Sequence, residues 1–192
     1  MKKLIGLKKV KTAVFISGTG SNLENLIKFS KKKNSPISVD LIISNTRYAI
    51  GLKYSVKYNI KKKIIDFKNK RLADKEIYKF LLLKNIKLIC LAGFMKILSK
   101  NFIKKFKGKI INIHPSLLPK YKGLNTHKKA IKNNDKFAGC SVHFVTAKLD
   151  SGKIIMQKKV KIKKRDTIVS LAKKVLKREH LLYPVAIKKI CN

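Results

Sequence analysis

Short β-branched strands alternating with amphipathic helices predict an α/β fold, with a doubly wound, mostly parallel sheet and helices on both faces. Two further observations support it. A glycine-rich turn, Gly18-Thr19-Gly20-Ser21-Asn22, separates the first strand pattern from the first helical one. Leu88 to Ala92 is a continuous apolar run, as a strand buried on both faces requires.

Taken in order, Thr12 to Ser17 reads as the first strand, and Leu23, Leu26 and Ile27 fall on one face of the helix after the turn. Val39 to Ile43 is a second strand and Ala49 to Tyr58 a helix. Ile64 and Ile65 mark a short strand, Ala73 to Leu83 a helix, Leu88 to Ala92 the buried strand and Asn101 to Phe106 a short helix. A strand at Lys109 to Ile113 leads into a Pro-containing loop, Pro115 to Gly123, and a helix from Thr126 to Lys132. Cys140 to Val145 and Ile154 to Ile162 are two late strands, free to run antiparallel. Asp166-Thr167 starts a final helix towards Ile190, with a break expected near Pro184. No internal repeat or low-complexity linker divides the 192 residues, so one domain is the simplest partition.

Composition narrows the function class. With 45% hydrophobic residues and no apolar stretch near the roughly 20 residues of a membrane span, the chain reads as globular and free of membrane contact. Met1 to Val10 is basic but lacks the apolar run and cleavage site of a secretory signal, which points to the cytoplasm. Cys90, Cys140 and Cys191 are odd in number and widely spaced, so neither a disulfide framework nor a thiolate zinc site is indicated. His114, His127, His143 and His180 show no short ligand spacing, and no metal is expected.

The net charge of +39 invites a nucleic-acid reading. Only four of the 48 basic residues are arginines, however, and the lysines occur in every segment beside abundant Ile and Asn, as codon bias in an AT-rich genome produces. The charge therefore reads mainly as compositional drift, with no specific nucleic-acid partner. Nine Phe and six Tyr form no stacking motif, which counts against a non-catalytic RNA-binding protein.

Two constellations carry chemistry. In the glycine turn, Gly18 and Gly20 permit sharp bending, and Ser21 and Asn22 begin a helix whose free N–H groups attract anions. No G-K-[ST] follows, and Leu23 stands where a dinucleotide fingerprint has its third glycine, so a phosphomonoester fits better than ATP or NAD. A tight turn with Ser21 as helix cap fits these residues equally well. Asn112 and His114 share one face of a strand end, beside the stiff segment Pro115 to Pro119. An amide donor and a protonatable imidazole suit an oxyanion, and Asp150 is the prime candidate to orient the imidazole. A structural N-x-H at a strand end is the plainer alternative.

The runs SGTGSNLENLI (Ser17 to Ile27), LAGFMKILS (Leu91 to Ser99), INIHPSLLPKYKG (Ile111 to Gly123) and SVHFVTAKLDSG (Ser141 to Gly152) resemble the glycinamide ribonucleotide formyltransferases of purine synthesis over nearly the whole chain. HPSLLP alone is shared among enzymes using 10-formyltetrahydrofolate; the glycine turn and Leu124 to Ala130 favour the ribonucleotide enzymes. The resemblance implies a Rossmann-like formyltransferase fold, residues 1–192 as one formyltransferase domain, and 10-formyltetrahydrofolate as cosubstrate.

It further implies that Asn112, His114 and Asp150 are catalytic. Gly18, Thr19, Gly20, Ser21 and Asn22 would hold the substrate's 5′-phosphate, and Glu179, before His180, would contact the glycinamide. Folate would lie along Phe94, Met95, Lys96, Ile97 and Leu98, near Asn112, with Lys75 towards its glutamate tail. Lys75 stands where the relatives carry arginine, and Asn125 where they carry histidine. His143 is either part of the site or a satisfied strand histidine, and Leu118-Pro119 is a candidate cis peptide. The partners implied are phosphoribosylglycinamide and the formylated folate, with a monomer or a homodimer. Methionyl-tRNA formyltransferase and formyltetrahydrofolate hydrolase are the alternative enzymes, the less expected on length because each resembles the chain in one domain and is expected to carry another.

Overall fold

The computed structural model describes residues 9–191; the reading of Met1 to Val10 falls, for residues 1–8, outside them. Its strands are β1 (Val10–Ile16), β2 (Ile37–Ser44), β3 (Lys61–Ile64), β4 (Leu88–Leu91), β5 (Lys109–His114), β6 (Phe137–Phe144) and β7 (Ile154–Lys161). They form one sheet in the order β3-β2-β1-β4-β5-β6-β7. The pairs from β3 through β5 are parallel, while β6 and β7 pair antiparallel. The order reverses between β1 and β4, and in such a sheet the crevice beyond the strands' carboxyl ends at that point is where ligands collect.

Alternation along β1 divides the core. Val14 and Ile16 face one apolar cluster with Leu23, Ile42, Cys90, Ile111, Val175 and Tyr183. Ala13 and Phe15 face the other, with Leu41, Ile43, Ile77, Ile89 and Phe102. Each fully buried Leu, Ile or Phe contributes roughly 1.5–3 kcal/mol of burial, so the sheet is fastened from both faces.

The helices are α1 (Ser21–Ser30), α2 (Lys53–Lys57), α3 (Lys70–Leu83), α4 (Lys100–Lys105), α5 (Thr126–Lys132) and α6 (Ile168–Cys191). The helix read over Ala49 to Tyr58 divides into a 3₁₀ turn, Ile50–Leu52, and α2. Its first turn is pressed against the glycine turn: a Cβ on Gly51 would stand 2.8 Å from Gly20 Cα. The strand read at Ile64 and Ile65 begins earlier, at Lys61. Its lysines hide the period-two pattern, because β3 lies at the sheet edge, where lysine is tolerated and blocks further pairing.

The break expected near Pro184 does not occur: α6 runs through Pro184 to Cys191. Proline leaves the carbonyl four residues back without its helical partner. That carbonyl is His180 O, and the Asn25 side-chain amide of α1 donates to it at 2.8 Å. Beside the proline, the buried Tyr183 hydroxyl donates towards Leu91 O at 3.0 Å, with Ile111 O at 3.3 Å, fastening α6 to β4 and β5. Among the described residues no helix is long and apolar enough to cross a membrane.

Candidate active site

At the end of β5, Asn112 and His114 fall on one face, as their spacing requires. Directly opposite Asn112 in the antiparallel register stands His143 of β6. Asn112 Nδ2 lies 3.2 Å from His143 Nε2. Asp150 follows β6 in the loop to β7 and is buried, with a left-handed backbone at φ 45°, a conformation that short polar side chains adopt more readily than most.

Asp150 gathers the cluster. Its Oδ2 lies 3.4 Å from His114 Nδ1 and accepts from Gly123 N–H at 2.9 Å; its Oδ1 lies 3.5 Å from His143 Nε2. Burial pushes the carboxyl pKa up, but hydrogen bonds from His143 and the Gly123 amide, with the charge of both imidazoles, outweigh burial and hold it below the ordinary aspartate value.

Backbone carbonyls fix the rings. His114 Nε2 lies 2.9 Å from Tyr121 O, and His143 Nδ1 lies 2.8 Å from Phe144 O. A carbonyl only accepts, so these two nitrogens carry hydrogens. Asn112 Nδ2 carries two hydrogens and His143 Nε2 is its one neighbour in the cluster, so an Asn112 N–H is left for a ligand. His114 meets Asp150 through Nδ1, and only the imidazolium donates to both Asp150 and Tyr121. Tyr121 enters through its backbone alone, so no side-chain signal marks it in the sequence.

These groups form one end of a cavity of about 640 Å³. Phe94, Met95, Lys96, Ile97 and Leu98 supply one wall, and Val145 to Leu149 another. A lining that is mostly apolar, with Asn112, His114, His143 and Asp150 grouped in it, suits a flat heteroaromatic body. Gly123, Leu124, Asn125, Thr126 and His127 also line it. Asn125 is the left-handed N-cap of α5 at φ 61°, a position asparagine fills at low cost. Thr126, His127 and Ile168 at the start of α6 line it as well, with nothing in their residue types to mark them as site residues.

The glycine turn and Glu179 lie outside this cavity's lining but meet each other. Gly20 is the N-cap of α1 with φ 75°, and no side chain caps the helix. The alternative of Ser21 as the cap is thereby removed: Ser21 is the first helical residue, and the first amides of α1 have no side-chain cap to satisfy them. Asn22 Nδ2 donates to Glu179 Oε2 at 2.7 Å, while the buried Asn22 Oδ1 has no partner among the described residues. Burial raises the Glu179 carboxyl pKa, against the opposing Asn22 hydrogen bond. Lys75 is exposed on α3 and does not line the cavity. The Leu118-Pro119 bond is cis.

A formyl transferase family profile matches residues 10–187. The chain belongs to the formyl transferase family. Among the members it is similar to, phosphoribosylglycinamide formyltransferase of Haemophilus influenzae is 40% identical over 181 residues, which are 93% of this chain and 85% of that one. The human trifunctional purine biosynthetic protein adenosine-3 is 41% identical over 188 residues, but the chain spans only 19% of its length. The crystal structure of phosphoribosylglycinamide formyltransferase from Brucella melitensis superposes with TM-score 0.91 at 39% identity, covering 96% of each chain. The sheet order and the helices on both faces are thus those of a formyl transferase.

Proposed function

We propose that the protein transfers the formyl group of 10-formyltetrahydrofolate to the primary amine of 5′-phosphoribosylglycinamide, a step of purine synthesis. The observation that carries this reading is the convergence of Asn112, His114 and Asp150 at the polar end of the cavity. The similarity to phosphoribosylglycinamide formyltransferases over most of both chains supports it.

The folate supplies an activated formyl carbon beside the polar cluster. Asn112, placed beside His143, presents an N–H to the oxygen that gains charge as the amine attacks. His114 adds positive charge there and supplies a proton to the leaving nitrogen. Asp150, ionised over a wide pH range because its pKa is lowered, pairs with His114 Nδ1 and takes the attacking amine's proton through water. Donors fixed before the reaction need no reorganisation when charge appears, which is why such groups are effective in a site closed to bulk water.

For the acceptor, the uncapped amides at the start of α1 attract the 5′-phosphate, and the Asn22–Glu179 pair receives the glycinamide. We assign no metal to the reaction and no specific nucleic acid to the surface, and place the enzyme in the cytoplasm. The test is an absorbance assay of folate product with and without the ribonucleotide. Turnover that requires the ribonucleotide is expected; equal turnover in its absence makes the protein a hydrolase.

A further inference from the structure

The strands β2, β1 and β4 are neighbours, and their carboxyl ends are tied together past the last paired residues. Ala92 N–H donates to Phe15 O at 2.9 Å, and Ser17 N–H to Gly93 O at 3.2 Å, carrying the β1–β4 ladder one step beyond both strands. At Gly93 the backbone turns left-handed, with φ 71°, and the chain leaves the sheet. The next amide in line is met by a side chain: Met95 N–H donates to Ser17 Oγ at 2.7 Å. The same hydroxyl donates its hydrogen to Asn45 Oδ1, in the loop after β2. One residue further, Gly18 O accepts from Gly51 N–H at 3.0 Å and holds the glycine turn.

We propose that Ser17, oriented by Asn45, is a positioning residue that sets the Met95 wall of the donor slot against the glycine turn and thereby governs folate affinity. This rests on the reading of residues 93–98 as the folate wall. Ser17 stands where the two halves of the site meet. Its backbone continues β1 into the anion turn, and its hydroxyl holds the segment that faces the donor. Both hydrogen-bonding roles of the hydroxyl are in use, with Asn45 fixing its hydrogen so that a lone pair points at Met95 N–H. Removing the hydroxyl frees Met95 while leaving the Gly18 to Gly51 contact in place, so the two ligands respond differently.

The test compares Ser17→Ala, Ser17→Thr and Asn45→Ala in the full chain by calorimetric titration with tetrahydrofolate and, separately, with the ribonucleotide. Ser17→Ala is expected to weaken tetrahydrofolate about threefold to tenfold, the worth of one net hydrogen bond, and to change ribonucleotide affinity by less than about twofold. Ser17→Thr, which keeps the hydroxyl, should restore folate affinity, and Asn45→Ala should weaken it in the same direction. Should Ser17→Ala not fold, Asn45→Ala carries the comparison. Equal weakening of both ligands, or unchanged tetrahydrofolate affinity in the folded variants, overturns the proposal. A wild-type chain that binds tetrahydrofolate yet transfers no formyl group overturns the proposed function, while the Ser17 comparison still stands on binding. A wild-type chain that does not bind tetrahydrofolate overturns both.

Discussion

Asp150 Oδ2 lies 3.4 Å from His114 Nδ1, on the side of the ring away from the Tyr121 carbonyl that holds Nε2. A carboxylate on one side and a carbonyl on the other give each ring nitrogen an acceptor. The pair also links pH to stability. A folded pKa below the unfolded value contributes stability that is present above the unfolded aspartate pKa and is lost as pH falls through the folded one.

Asp150→Asn removes this dependence and withdraws the counter-charge of His114. We expect turnover to fall by roughly 100-fold or more, in the range seen for loss of one preorganised electrostatic group. In thermal melts the stability advantage of wild type over Asp150→Asn should narrow as pH is lowered through the acid range. An advantage that is constant from neutral pH into acid would show that Asp150 is not held ionised by the two histidines.

The glycine turn separates two kinds of glycine. Gly20 has a positive φ, and a Cβ there would stand 2.6 Å from Gly51 Cα, so Gly20→Ala should destabilise the whole chain, by at least about 1 kcal/mol. Gly18 has open space around its added Cβ and no positive φ, so Gly18→Val should fold normally. If that space belongs to the phosphate, Gly18→Val weakens the ribonucleotide while tetrahydrofolate affinity is unchanged. Calorimetric titration of both ligands decides it, and undiminished ribonucleotide affinity places the phosphate elsewhere.

A third expectation concerns the proline inside α6. Asn25→Ala leaves the His180 carbonyl without a partner and should cost about 1–2 kcal/mol in chemical denaturation. In a Pro184→Ala background the restored amide at 184 can serve that carbonyl, so the same substitution should cost much less. Additive effects in this double-mutant cycle would show that the two residues do not compensate each other.

The parallel sheet was legible because buried strands such as Leu88–Leu91 are apolar throughout and the turn residues fall between periodic segments. Asn112 and His114 were legible from strand alternation, and Asp150 from the scarcity of acids. The continuity of α6 was not. It depends on Asn25, 155 residues away, accepting the task of satisfying the carbonyl freed by Pro184, and no local pattern records such a contact. The contact of His143 with Asn112 follows from the β5–β6 register, which the sequence does not specify. β3 was shortened in the reading because three lysines occupy an edge strand. Backbone groups at Tyr121 and Gly123 act on the cluster without regard to their side chains, so residue type carried no signal there.

The central claim is that Asn112 and His114 stabilise the charge that develops as the formyl group moves. Single-turnover rates of formyl transfer to the ribonucleotide, measured for wild type, Asn112→Ala and His114→Ala with folding verified by circular dichroism, test it most directly. The account predicts a fall of roughly 100-fold to 1,000-fold for Asn112→Ala and at least as much for His114→Ala, with substrate affinities little changed. Folded variants that transfer the formyl group at near wild-type rates would contradict it.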